Sequence, residues 1–325
     1  MLNTHEVKRS KNYDNPVVFI DGLWGSGKSL VAPFVQSING VQKSKINPIY
    51  EHVAKLNSFG QISDEAAIWL LQTQANLDLF HNAIGRDVNL RLTDDSGLKY
   101  VRDKFRYLFT PFKLGIKDIE NAQEFEEFKF CNMSHMLFSD FPILQRSFGQ
   151  RLRFIEVVTH PLELIGGFQK YLADFDRTRE ATFSIVKGSV KVPWFMVSDS
   201  NSYIHSDDAT RAVLSVGALT EMLIDFHEFC VKQRIENCFF INAADLKLTP
   251  HESIKPICTF LEGSIPRGEL KWLMKKLKLP RRKSNITKVQ DDAHESIKSS
   301  VSSPVLSKIE RIIARFEATF PVSQV

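Results

Sequence analysis

The chain has 325 residues, 43% hydrophobic and 25% charged, with 42 basic against 38 acidic residues and a formal charge of +4. That length and balance bury a large core and exclude a disordered or fibrous protein, while so small a net charge gives no argument for nucleic acid as a partner. The four cysteines, Cys131, Cys230, Cys238 and Cys258, are widely spaced and form no C-x-x-C pair, so neither a zinc cluster nor a disulfide framework is expected and a reducing cytoplasm fits.

Residues 1–15 are polar and lack the apolar centre of a signal peptide. They are expected to be disordered. No apolar run approaches the length of a membrane span, so no membrane is expected as a partner. The first strand is predicted over 16–21, in the run Val17-Val18-Phe19-Ile20. Directly after it come Gly22, Leu23, Trp24, Gly25, Ser26, Gly27, Lys28 and Ser29, which satisfy G-x-x-x-x-G-K-[ST]. In that pattern the glycines let successive backbone N–H groups turn inward, and the following helix presents its positive end to the same anion. Lys28 is placed to reach the outer phosphates of a nucleotide, and Ser29 to offer a hydroxyl to Mg²⁺. Pro33 lies in the second turn of the helix that follows and is expected to kink or shorten it.

A helical insert is predicted over about 60–125, with an amphipathic helix from Asp64 to Ile84 and another over Tyr100–Leu108. It is placed to cap a substrate pocket. Strands follow at about 128–133, 153–158 and 237–242, a hairpin at about 182–197 turning on Gly188 and Ser189, and a long helix from Asp207 to Gln233. Ser296–Ser303 reads as a linker into a last helix over about Pro304–Phe316, with a tail at 319–325. Strands alternating with helices predict a three-layer α/β fold around a parallel sheet, in a single domain over 16–318.

Ligands of such sheets bind at the carboxyl ends of the strands. Asp21, His135, Thr159-His160 and Asn242–Asp245 stand there. His135 has the chemistry of a general base that takes the proton of an acceptor hydroxyl; the competing reading is a hydrogen-bonded structural histidine. His160, before Pro161, shapes a helix start. Asp21 and Glu156 are the carboxylates able to act through a metal, and neither completes a second nucleotide motif. Arg86 and Arg91 either clamp an anionic or sugar substrate or belong to an ordinary surface loop. Arg177 and Arg179 pose the choice between a phosphate lid and a solvated turn. Between Lys271 and Lys288 eight basic residues gather, either as an RNA-binding patch or, since no stacking aromatic beyond Trp272 is interleaved, as a solvated helix face followed by an anion-contacting loop that holds Arg281, Arg282 and Lys283.

Phe19 through Ser29 resembles the loops of nucleotide kinases and adenylylsulfate kinases, members of the P-loop NTPase-like folds. The order of elements from about 16 to 318 resembles sulfotransferases. Phe130–Leu137 is similar to that family's strand ending K-T-H-L, which implies His135 as catalytic base. Phe154–Gly167 is similar to its strand ending R-D-P, and Phe240–Leu261 to its E-D-L segment and following helix. Arg281, Arg282 and Lys283 then correspond to the late basic loop that holds the donor's 3′-phosphate. The family's loop reads P-K-S-G-T-T, which sets Gly25 where its catalytic lysine stands, and its 3′-phosphate arginine and serine fall on Thr159 and Gly167.

The expected function is a nucleotide-dependent transferase in which Lys28 and Mg²⁺ carry ATP and His135 activates a hydroxyl of a small molecule or carbohydrate. Two alternatives stay open. One is sulfuryl transfer from 3′-phosphoadenosine 5′-phosphosulfate, and the other a nucleotide-operated switch or scaffold.

Overall fold

The computed structural model of the chain describes residues 13–94, 96–109, 112, 123–173 and 183–323. The strands are β1 (Val17–Asp21), β2 (Phe130–Met133), β3 (Leu152–Val158), β4 (Ser184–Lys187), β5 (Val190–Pro193) and β6 (Cys238–Asn242). Four of them form one parallel sheet in the order β2-β1-β3-β6. Each of these four starts close to its predicted place, because a run of β-branched and aromatic residues is what a strand covered on both faces requires. β4 and β5 pair antiparallel around Gly188 and Ser189.

Side chains alternate across the sheet and so feed two cores. Val17, Phe19, Phe130, Leu152 and Phe154 face one; Val18, Ile20, Cys131, Ile155 and Val157 face the other. The first core is completed by α2 (Ile49–Ser58), α3 (Asp64–Ala83), α4 (Phe141–Phe148), α5 (Pro161–Ala173) and α6 (Asp208–Lys232), through Tyr50, Leu71, Leu144, Phe168 and Leu219. The second is completed by α1 (Lys28–Val35), α7 (Ala243–Leu248), α8 (Pro250–Phe260) and α9 (Arg267–Leu277), through Val31, Leu246, Ile257 and Leu273. This is the predicted three-layer α/β arrangement. Each such side chain taken fully out of water contributes about 1.5–3 kcal/mol, so the two cores rather than any polar contact hold the layers together.

Helix starts follow local chemistry. Ser63 Oγ accepts the Ala66 N–H at 3.3 Å ahead of α3, and Asp207 Oδ1 accepts the Thr210 N–H at 2.8 Å ahead of α6. α1 contains Pro33 and is only 8 residues long, as the missing donor predicts. After it, the chain returns along the outer edge of β2, with bridges Val41 to Lys129 and Lys45 to Asn132.

Two expectations are corrected. Ser296–Ser300 is not linker but the end of α10 (Lys283–Ser300), which buries Ile297 in the first core, and the break before α11 (Ser303–Thr319) falls at Val301 and Ser302. Serine is a middling helix former, and packing on α5 outweighs it. The helix predicted over Tyr100–Leu108 is instead a 3₁₀ turn at Leu98–Tyr100 and a short helix at Lys104–Leu108. Arg177 and Arg179 lie outside the described residues, as do residues 1–12. No helix among the described residues is long and apolar enough to cross a membrane.

Candidate functional site

The Gly22–Ser29 loop leaves β1 and lies between the first turns of α5 and α7. A Cβ on Gly25 would meet Leu164 of α5 at 3.6 Å, and one on Gly27 would meet Ala243 of α7 at 3.5 Å. Gly25 and Gly27 have φ of 79° and 90°, the region where glycine escapes the steric cost of a side chain. At Gly22 the backbone needs glycine for space: an added Cβ would stand 2.5 Å from Ser26 Oγ and 2.6 Å from the Val157 carbonyl oxygen. Thr159 Oγ1 donates to the Ser26 carbonyl at 2.6 Å, so the residue after β3 ties the loop to the neighbouring strand. Ser26 is buried, and its Oγ has no hydrogen-bond partner among the described residues. An orphaned hydroxyl inside a glycine-rich turn is what an oxyanion would satisfy.

Lys28 is only 5% exposed and lays its ammonium back across the loop, donating to the carbonyls of Gly22 and Leu23 at 2.7 Å each. Beneath it lie two fully buried carboxyls, Asp21 and Glu156, at matching positions of β1 and β3. Burial pushes Asp21 up, against the pull of Lys28 and of hydrogen bonds from Phe138 and Ser134. Glu156 is pushed well above the usual carboxylate range by burial and then by Asp21. Asp21 therefore serves as an anchor: Oδ1 accepts from Ser134 Oγ at 2.9 Å and Oδ2 from the Phe138 N–H at 2.8 Å.

Those two bonds fix the turn that carries His135. The turn is further held by Met136, in the left-handed region at φ 56°, whose N–H reaches the Gly22 carbonyl at 3.3 Å. His135 thus stands directly beside the loop. Its ring stacks on Trp24, with centroids 5.5 Å apart and planes at 27°, and Trp24 is covered on its other contact by Tyr171 at 3.9 Å. Glu51 of α2 accepts the His135 backbone N–H at 2.8 Å and lies 3.5 Å from Nδ1.

A narrow cleft of about 20 Å³, room for one water molecule, opens next to this pair, lined by Trp24, Glu51, Lys55, His135, Asp140 and Trp194 among others. Lys55 binds Asp140 at 2.7 Å and Ser139 Oγ at 2.9 Å, and its ammonium sits 3.3 Å from the centre of the Trp194 ring. Burial lowers the Lys55 ammonium, with Asp140 opposing.

The structure brings Gly22, Gly25, Ser26, Gly27, Lys28, Ser29 and His135 into one site. The Arg281 backbone reaches the same end of the sheet, its N–H donating to the Lys247 carbonyl at 2.7 Å while the Lys247 ammonium holds Glu163, in the first turn of α5, at 2.7 Å; Arg282 and Lys283 follow it in the chain. Their side chains are exposed. Arg86 and Arg91 are exposed and do not join the loop. Arg86 contacts His81 at 2.9 Å, and the Arg91 backbone bonds Asn89 and Leu98. His160 accepts the Leu162 N–H at 3.3 Å and so shapes the start of α5. Gly167 faces open space on that helix.

Glu51, Lys55, Asp140, Trp194 and Tyr171 were not singled out from the sequence. The one available signal was Glu51 and Lys55, four residues apart and therefore on one helix face.

No protein-family model and no curated protein matches the chain. Solved structures that resemble it include the sulfotransferase domain from the Synechococcus PCC 7002 olefin synthase, at 13% identity and TM-score 0.47, over 98% of this chain and 100% of that one. The sulfotransferase domain from the curacin biosynthetic pathway follows at 13% and 0.46, over 95% and 99%. Sulfotransferase STF9 from Mycobacterium avium stands at 11% and 0.45, over 97% and 78%. Similarity at this level concerns general arrangement and assigns no chemistry to the chain.

Proposed function

We propose that the chain is a nucleotide-dependent group transferase in which the Gly22–Ser29 loop holds the donor's phosphate and His135 takes the proton of an acceptor hydroxyl. The observation that carries this reading is the contact between His135 and the loop itself: the base stands on Trp24, backed by Glu51, at the mouth of a cleft. Glu51 on one side of His135 and the glycine-rich loop on the other support this reading. The acceptor oxygen attacks the transferred group as its proton passes to the imidazole, and the bond to the donor's phosphate breaks. Lys28, once drawn from its carbonyl partners, stabilises the charge that collects on the departing phosphate.

Between donors, the reading favours 3′-phosphoadenosine 5′-phosphosulfate. Asp21 already accepts from Ser134 and Phe138, and burial raises Glu156 well above the usual carboxylate range, so the carboxylates nearest the loop are poorly suited to share Mg²⁺ with Ser29. Arg281, Arg282 and Lys283 also offer cations at this end of the sheet, which a 3′-phosphate requires. ATP with Mg²⁺ is the second reading, favoured by Lys28 in the place where ATP-using loops carry it.

Calorimetric titration with 3′-phosphoadenosine 5′-phosphate and, separately, with ATP and Mg²⁺ decides between them. The expected result is tighter binding of the bisphosphate, weakened when Arg281 and Arg282 are replaced by alanine. Binding of ATP alone would select phosphoryl transfer, and binding of neither would sink both.

A further inference from the structure

A second site lies away from the phosphate loop. α1 carries the chain about 12 Å from Lys28 at 1.5 Å per residue. Past its end, Gln36, Ser37 and Lys43 meet residues 100–105, Tyr107 and the start of α9 around a cavity of about 980 Å³. That volume is at the upper end of small-molecule pockets.

Cations outnumber carboxylates around it. Lys43, Arg102 and Lys104 line it, and Lys99 and Lys276 sit on Tyr100, which forms part of its wall. The carboxylates in the wall are Asp103 and Glu269, the latter 3.7 Å from Arg102. Aromatic rings hold several of these ammonium groups in place. Lys43 lies 5.4 Å from the Tyr107 centroid and Lys99 4.9 Å from that of Tyr100. Lys276 lies 5.4 Å from Tyr100 and 4.8 Å from Trp272, and also donates to the Lys99 carbonyl. Lys104 and Lys276 make no ion pair among the described residues. Gathering like charges around a concave surface is unfavourable unless an anion joins them, and the walls focus the resulting field inward.

We propose that this cavity binds a soluble small molecule carrying several phosphate or sulfate groups, independently of the phosphate loop. The test is calorimetric titration of the full chain with inositol hexakisphosphate at low salt, using wild type, Lys28→Ala, Lys104→Ala and Lys104→Ala/Lys276→Ala. Both replaced lysines are exposed, so folding is expected to survive, and circular dichroism checks it. The Lys104→Ala single variant keeps the test readable if the double variant does not fold. Expected are affinity within about twofold of wild type for Lys28→Ala, a loss of several-fold for the single variant and at least about tenfold for the double, and weaker binding as salt screens the site. Equal affinity in wild type and the folded lysine variants overturns the proposal, as does loss in Lys28→Ala alone, which would put the anion in the loop. Co-sedimentation with phosphatidylglycerol vesicles without binding of the soluble probe also overturns it, in favour of a lipid surface.

Discussion

Glu51 holds His135 at two points, accepting its backbone N–H at 2.8 Å and lying 3.5 Å from its Nδ1. In the proposed function, a carboxylate so placed orients the ring and offsets the positive charge that the imidazole gains as it takes the acceptor's proton.

Replacing Glu51 with glutamine is therefore expected to lower kcat by roughly 10–100-fold with donor affinity nearly unchanged, while His135→Ala costs roughly 10²–10⁴. Steady-state kinetics of the two variants and their combination check this. If the pair acts as a unit, the combination is little worse than His135→Ala, and unchanged turnover in Glu51→Gln would remove it from the mechanism.

Gly22→Ala puts a methyl group 2.6 Å from the Val157 carbonyl, and backbone does not yield as a side-chain tip does. The expected outcome is loss of donor binding with a stability cost of at least about 1–3 kcal/mol. Calorimetry and urea unfolding measure the two separately, and binding at wild-type affinity would mean that the loop tolerates a different path.

Glu156 makes stability depend on pH in a direction that can be worked out. Unfolded, it ionises in the usual carboxylate range; folded, it keeps its proton well above that range. The folded state thus binds more protons through this window, and stability is greatest below the usual range and falls as pH rises. Asp21, raised too, adds in the same sense. Glu156→Gln is expected to flatten that fall and to be the more stable protein at about pH 8, as read from urea midpoints between about pH 5 and about pH 9. Parallel curves for variant and wild type would contradict this.

Lys55 and Asp140, 2.7 Å apart and both buried, form a pair whose disruption is expensive. Lys55→Met leaves Asp140 uncompensated and is expected to cost about 3–5 kcal/mol, much of it recovered in Lys55→Met/Asp140→Asn. Denaturant midpoints of the four proteins give the coupling directly, and strictly additive losses would deny it.

The glycine-rich turn after β1 and the four parallel strands were legible because each is a local pattern: glycines at fixed spacing, or an unbroken apolar run. The position of His135 beside that turn was legible from its place after a strand. Glu51, Lys55 and Asp140 were not, since nothing in a sequence tells which face of α2 turns toward a turn some 84 residues later. Arg86 and Arg91 had the right chemistry, but their contacts are within their own loop and with His81. The serines of α10 misled because propensity is a local quantity, whereas Ile297 is held by burial against distant residues.

The return of the chain beside β2 has a further consequence. Gly40 and Lys45 accept the N–H groups of Lys129 and Met133, and Gln42 and Lys45 donate to the carbonyls of Lys129 and Cys131. The outward main-chain groups of that strand are thereby spent, and a foreign strand finds no row of free donors and acceptors there on which to template. On that side the protein is protected from edge-to-edge aggregation by its own backbone, at a place where a sequence of hydrophobic strand residues would otherwise invite it.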